Sequence, residues 1–164
     1  MSILSPLPPS LDPRDTAVAV ATVFGIGQLP RVPGTWGSLA TLPLGALLLW
    51  IGGPWTVAAA AIAVAIIGFW ASEQVSERSG DEDPGYIVVD EVAGQLIALA
   101  PAALDAASFG LAFLLFRLLD IVKPWPASWA DESLKGGAGV MADDLIAGLY
   151  AAVIVWGVHA YGFL

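Results

Sequence analysis

The sequence predicts an all-α bundle of about five to six helices embedded in a membrane. Three observations carry that reading. The 164 residues are 57% hydrophobic and only 13% charged, against roughly 45–50% and about 25% in soluble domains, and the mean hydropathy is +0.77. The apolar residues come in long runs, several near the ~20 residues that cross about 30 Å of hydrocarbon. The charged residues gather at the edges of these runs and in the connections between them. A soluble, alanine-rich bundle is the competing reading, and the charge poverty argues against it.

The length suits one domain. Residues 1–14 are rich in Pro and Ser and predict an irregular lead-in, without the apolar stretch of a cleavable signal. Ala17 to Phe24 is a short apolar segment, a possible sixth helix half-inserted or packed on the others. Trp36 to Ile51 and Trp55 to Ala71 predict the first two long helices, joined tightly at Gly52-Gly53-Pro54. The apolar region from Tyr86 to Phe116 is interrupted near Pro101 to Ser108 and splits into two helices. Pro124 and Pro126 stop the second of these, because proline lacks an amide hydrogen and restricts its predecessor. Gly136, Gly137 and Gly139 predict a flexible or tightly turning loop. The last helix is expected from about Leu145 to Phe163.

If each helix crosses, the connections alternate sides. All six Lys and Arg then fall on one side, and only Asp105 and His159 on the other. The positive-inside rule places the charged side in the cytoplasm of a bacterial-type inner membrane, in a multi-pass arrangement. Trp50, Trp55, Trp125, Trp129 and Trp156 lie near predicted helix ends, as interfacial tryptophans do.

Composition also excludes chemistry. With no Cys there is no thiolate nucleophile, disulfide or thiolate metal site. Six basic residues against fifteen acidic ones speak against a nucleic-acid partner. The single histidine, His159, lies on the wrong side for histidine-based phosphoryl transfer and reads as interfacial.

Several segments converge on the charged face. Gly25 to Ser38 is glycine-rich, with Thr35 and Ser38 where a helix begins; helix N-termini bind phosphate, though a turn with an N-cap is the simpler reading. Asp90-Glu91 is a carboxylate pair at the edge of an apolar helix, costly to desolvate unless paired or bound to a cation. The Asp81-Glu82-Asp83 run upstream reads as a solvated loop. Arg117, Asp120 and Lys123 recur at spacing three and so predict one charged helical face, with a structural ion-pair ladder as the plainer alternative. Asp143-Asp144 is a second carboxylate pair, read at the start of the last helix. Ala147 and Gly148 behind it offer small surfaces for close packing. The two pairs and Asp120 make an oxygen-only donor set suited to Mg²⁺. Magnesium would clamp a phosphate and help activate water, with Arg117, Lys123 and Arg31 offsetting phosphate charge and an unbound carboxylate as general base.

Four ordered blocks carry a resemblance: Pro33-Gly-Thr-Trp-Gly-Ser-Leu39, Asp90-Glu91 with Gly94, Arg117-x-x-Asp120-x-x-Lys123-Pro-x-Pro126, and Gly136-Gly-x-Gly-Val-Met-x-Asp143-Asp144-x-x-Ala147-Gly148. Together they resemble the phosphatidylglycerophosphatase A family from Gly25 to about Gly148. The resemblance implies Mg²⁺-dependent hydrolysis of phosphatidylglycerophosphate to phosphatidylglycerol and phosphate at the cytoplasmic membrane. It also implies an all-helical domain whose central helix is packed by the others. On that reading Asp90, Glu91, Asp120, Asp143 and Asp144 form one or two metal sites and supply catalysis. Arg117 and Lys123, with Arg31, Thr35 and Ser38, hold the phosphate. Two other classes compete. An ion-coupled transporter or channel would need polar residues through the membrane depth, where the helices read Ala, Leu, Val, Ile and Phe. A non-catalytic assembly subunit would leave the acidic pairs and basic residues unexplained.

Overall fold

Proline and glycine punctuate the chain much as expected. The structure is a computed structural model that describes residues 4–162. Its helices are α1 (Thr16–Ala21), α2 (Pro33–Ser79), α3 (Val89–Leu99), α4 (Ala106–Val122), α5 (Ala127–Ser133) and α6 (Gly136–Ala160), with a 3₁₀ turn at Ile26–Gln28, and there is no strand among the described residues. No helix forms before α1 in the described part of the lead-in. The short segment at Ala17 is a packed helix, α1, which buries Ala17, Val18 and Ala21.

The long α2 is two helices joined at Gly53, whose φ of 68° and ψ of −163° are open only to glycine. The chain reverses there. A Cβ on Gly37 would lie 3.1 Å from Val88, at the start of α3, and one on Gly45 would lie 2.6 Å from Leu99, at its end. On the returning arm, Gly68 again lies against Val89 at the start of α3, and against Met141. The expected tight connection at Gly52-Gly53-Pro54 is thus present. α2 and α6 are long and apolar enough to cross a membrane.

α3 is the central helix. Its eleven residues rise only about 16 Å, half the hydrocarbon thickness, and nearly all of them are buried against α2, α4 and α6. Leu96 and Leu99 of α3 join Val57, Phe116 and Val155 in one apolar cluster. Val89 and Ala93 join Val18, Val75 and Met141 in a second. Both are built from α3 outward, so this helix sets the spacing of all its neighbours.

The expected glycine loop does not exist. Gly136, Gly137 and Gly139 form the first turn of α6, which begins well before Leu145. Gly136 turns the chain into the helix with φ of 60°, and Gly137 serves contact: a Cβ there would lie 2.8 Å from the Glu73 backbone nitrogen. Asp143 and Asp144 therefore lie about two turns inside α6, not at its start. Phe163, the expected end of this helix, lies outside the described residues. α4 stops at Val122, ahead of Pro124 and Pro126 as expected, and the short α5, which no expectation covers, follows.

Candidate active site

Three helices bring the acidic residues together. The N-terminus of α3 carries Asp90 and Glu91 into the interior, where Asp90 is buried. α6 crosses it closely enough for backbones to touch. A Cβ on Gly148 would sit 2.9 Å from Gly94 Cα, and one on Gly94 would sit 2.6 Å from the Asp144 carbonyl oxygen. This contact aims the buried Asp143 and Asp144 at the start of α3. The last turn of α4 adds Asp120 beside them.

The carboxylates form two groups, Asp90 with Glu91 and Asp144, and Asp120 with Asp143 and Asp144. Within each group one oxygen per residue lies within 4.8 Å of the others. Asp144 belongs to both. Arg117 Nη1 lies 2.7 Å from Asp120 Oδ2 and 3.7 Å from Glu91 Oε1, and it donates to Ser38 Oγ at 3.4 Å. Gly34 leaves room for the Glu91 carboxylate, with which a Cβ there would collide, and for this guanidinium, whose Nη1 would be 3.2 Å away. Lys123 Nζ pairs with Asp143 Oδ2 at 2.6 Å and with Asp131 of α5.

These groups line a cavity of about 450 Å³, together with Val32, Thr35, Glu82, Asp83 and Ile121. Negative charge is in excess there, with only Arg117 and Lys123 to offset it. Desolvation against the protein pushes the Asp83 carboxyl up from its ordinary range; Lys123 opposes this and Asp131 reinforces it. Burial alone would weaken the Lys123 ammonium, but Asp131 and Asp143 outweigh it and hold the group above the usual lysine range. Three buried atoms of the cluster lack a hydrogen-bond partner: Glu91 Oε2, Asp143 Oδ1 and Arg117 Nε. Orphaned carboxylate oxygens in an oxygen-only, electron-rich pocket are the donor set of a hard divalent cation. The residues present therefore fit a metal ion.

The structure gathers Asp90, Glu91, Asp120, Asp143, Asp144, Arg117, Lys123 and Thr35 around this cavity. Ser38 stands behind Arg117 rather than on the wall. Arg31 is exposed on a turn with φ of 77° and is not part of the lining. The charged stripe on α4 is also shorter than its spacing suggests. Lys123 caps the helix in the left-handed conformation, φ 47°, so its ammonium swings away from the helical row to α5 and α6. Asp131 is a wall residue that the sequence did not reveal, because its position depends on α5 folding back. Glu82 and Asp83, read as a solvated loop, are exposed but also reach the cavity rim.

The opposite end of the bundle carries the remaining pair. Asp105 caps α4, and Ser108 Oγ lies 2.7 Å from Asp105 Oδ2 and 2.9 Å from His159 Nε2. Asp105 and His159 thus share an end remote from the carboxylate cluster, as the alternation of helices requires.

Comparison with known proteins agrees with the geometry. The family model described as phosphatidylglycerophosphatase A matches residues 19–159, a span containing every cluster residue. The chain is 39% identical over 139 residues to an Escherichia coli protein named phosphatidylglycerophosphatase A, covering 84% of this chain and 80% of that one. It is 37% identical over 143 residues to a Haemophilus influenzae protein of the same name, covering 85% and 86%. A Bacteroides thetaiotaomicron protein, 36% identical over 156 residues and covering 87% and 93%, carries a provisional phosphatidylinositol-3-phosphatase name. No solved structure matches the chain at a significant level. With the family model spanning nearly the whole chain, and with relatives this similar over most of their length, the chain belongs to the phosphatidylglycerophosphatase A family of phosphatases.

Proposed function

We propose that the protein hydrolyses phosphatidylglycerophosphate to phosphatidylglycerol and inorganic phosphate, with Mg²⁺, in phospholipid biosynthesis at the cytoplasmic face of a bacterial inner membrane. The observation that carries this reading is one cavity holding two carboxylate groups joined at Asp144, with two cations at its edge. Two groups sharing one ligand suit one or two ions, held by Asp90, Glu91, Asp120, Asp143 and Asp144. Bound there, magnesium supplies Lewis-acid polarisation of the phosphate and lowers the pKa of water.

The chain's own residues do the rest. Arg117, fixed by Asp120 and Ser38, turns N–H donors toward the phosphate oxygens and offsets their charge as it develops. Lys123, held between Asp131 and Asp143, adds a second positive charge at the rim. Thr35, in the first turn of α2, offers a hydroxyl at a helix N-terminus. A carboxylate not engaged by the metal accepts the proton of the attacking water. The new bond joins that water oxygen to phosphorus, the bond to the lipid glycerol oxygen breaks, and that oxygen takes up the proton removed from the water to become the hydroxyl of phosphatidylglycerol.

The test is phosphate release from phosphatidylglycerophosphate by the purified protein in detergent, with Mg²⁺ and with chelator, beside Asp120→Asn. Release that needs Mg²⁺ and is lost in the variant supports the assignment. A parallel arm with phosphatidylinositol 3-phosphate ranks the headgroups. If the folded, monodisperse protein releases nothing from phosphatidylglycerophosphate, the substrate assignment fails. Full turnover by Asp120→Asn would remove that residue from the site.

A further inference from the structure

The rim of the catalytic cavity has two chemically different sides. One is charged and faces out past Glu82, Asp83 and Asp131. The other is apolar. Val32, just before α2, and Ile121, near the end of α4, line the cavity and yet are 52% and 71% exposed. They flank the guanidinium of Arg117, which sits between the first turn of α2 and α4. Ile121 is one helical turn beyond Arg117 and so lies on the same face.

The apolar side continues along α4. Leu114, Leu118 and Ile121 are all more than half exposed, at spacings that keep them on one stripe. Trp125, just past the end of the helix, is exposed as well. On α2, Trp36 follows Val32 by one turn and is also exposed. A soluble phosphate ester would gain nothing from such a wall. A lipid phosphate needs both sides at once, with its phosphate among Arg117, Lys123 and the carboxylates and its acyl chains in hydrocarbon.

We propose that the substrate enters sideways from the bilayer, between the first turn of α2 and the last turns of α4. Val32 and Ile121 form an apolar doorway against which the diacylglycerol part of a lipid phosphate lies. This rests on the lipid phosphatase reading above and adds which side of the cavity the lipid uses. The freed phosphate, having no apolar part, leaves across the charged rim.

The experiment compares Val32→Asn and Ile121→Asn with Ile66→Asn. Ile66 is 66% exposed on the returning arm of α2 and lines none of the cavity. Each protein is assayed on dioleoyl phosphatidylglycerophosphate in mixed micelles and on the dihexanoyl compound as monomers. The doorway variants are expected to lose about tenfold in kcat/KM on the long-chain lipid, mainly through KM, with a clearly smaller loss on the short-chain compound. Ile66→Asn should stay within about twofold on both. Equal losses in all three variants, or no loss in the doorway pair, would overturn the doorway while leaving the phosphatase reading intact. Absence of wild-type turnover on both lipids would overturn both. If an Asn variant does not fold, Ile121→Thr replaces it, with the same two substrates and the same criteria.

Discussion

Asp144 offers an oxygen to both carboxylate groups while buried in the bundle. Such a residue costs stability without a cation and is indispensable with one. Asp144→Asn should therefore abolish Mg²⁺-dependent phosphate release. In chelator the same variant should melt no lower than wild type, because Asp144 is buried among Glu91, Asp120 and Asp143 with no hydrogen bond or ion pair that its carboxylate alone can make. A variant that melts lower in chelator would mean that Asp144 is a structural acceptor rather than a strained ligand. At this scale the sequence was legible where charge stood next to charge in an apolar context. The pairs Asp90-Glu91 and Asp143-Asp144 announced themselves because nothing else in those segments is polar enough to explain them. Asp131 did not, since a carboxylate in a short polar connection is unremarkable until α5 turns it toward Lys123. Arg31 and Ser38 both belong to the glycine-rich segment, yet Arg31 is exposed off the cavity wall and Ser38 accepts from Arg117.

The helices hold these residues in register through their thinnest contacts. α3 and α6 touch backbone to backbone at Gly94 and Gly148, with a built Cβ on Gly148 2.9 Å from Gly94 Cα. A methyl group there has nowhere to go and must push α6 off α3, separating Asp90 and Glu91 from Asp144. Gly94→Ala and Gly148→Ala should each cost about 1–3 kcal/mol of stability and lower Mg²⁺-dependent turnover more than a half-buried control such as Gly110→Ala. Gly110 has open space around it. A stable Gly148→Ala protein with unchanged turnover would sink this account. A second element-scale prediction concerns α1. Asp15 caps that helix and pairs with Arg78 at 2.9 Å, tying α1 to the end of α2. The Arg78 guanidinium holds the Asp15 carboxyl below its ordinary 3.8, partly opposed by desolvation and helped by the amides of Ala17 and Val18. Its stabilisation is thus present above the unfolded-state value and is lost as pH falls through the folded one. Asp15→Asn should melt lower than wild type near pH ~7, and the two curves should converge as the pH falls through the lowered folded-state value of Asp15. Helix ends marked by Pro and Gly were read correctly, including the reversal at Gly53. The start of α6 was missed because Gly136, Gly137 and Gly139 look like a loop to local propensity. The close approach of Gly136 and Gly137 to Phe69 and Glu73, and of Gly139 to Leu134, exists only in the packed bundle.

For the molecule as a whole, the decisive quantity is which end carries the charge. The carboxylate cluster, Arg117, Lys123 and the Lys135–Glu82 and Arg78–Asp15 pairs lie at one end of the bundle. Asp105 and His159 lie together at the other. The exposed Trp50, Trp55 and Trp156 mark that second end and Trp125 and Trp129 the first, a separation suited to the two interfaces of a bilayer. Arg78, Arg117, Lys123 and Lys135 stand at the cluster end, so for a bundle that spans a bilayer the positive-inside rule predicts that this end faces the cytoplasm. A substrate made on the cytoplasmic leaflet would then meet the cavity without crossing the membrane. The chain lacks cysteine, so single thiols can report this orientation without background. Glu77→Cys, exposed near the end of α2, and Ala103→Cys, exposed between α3 and α4, sit at opposite ends of the bundle. In intact cells a membrane-impermeant maleimide should label the Ala103→Cys protein once the outer membrane is breached, and the Glu77→Cys protein only after the inner membrane is opened. Labelling in the reverse order would invert the molecule and place the cavity outside. Labelling of neither variant until the inner membrane is opened would mean that the apolar helices form a core rather than a span. The lipid doorway between α2 and α4 would then have no bilayer to open into.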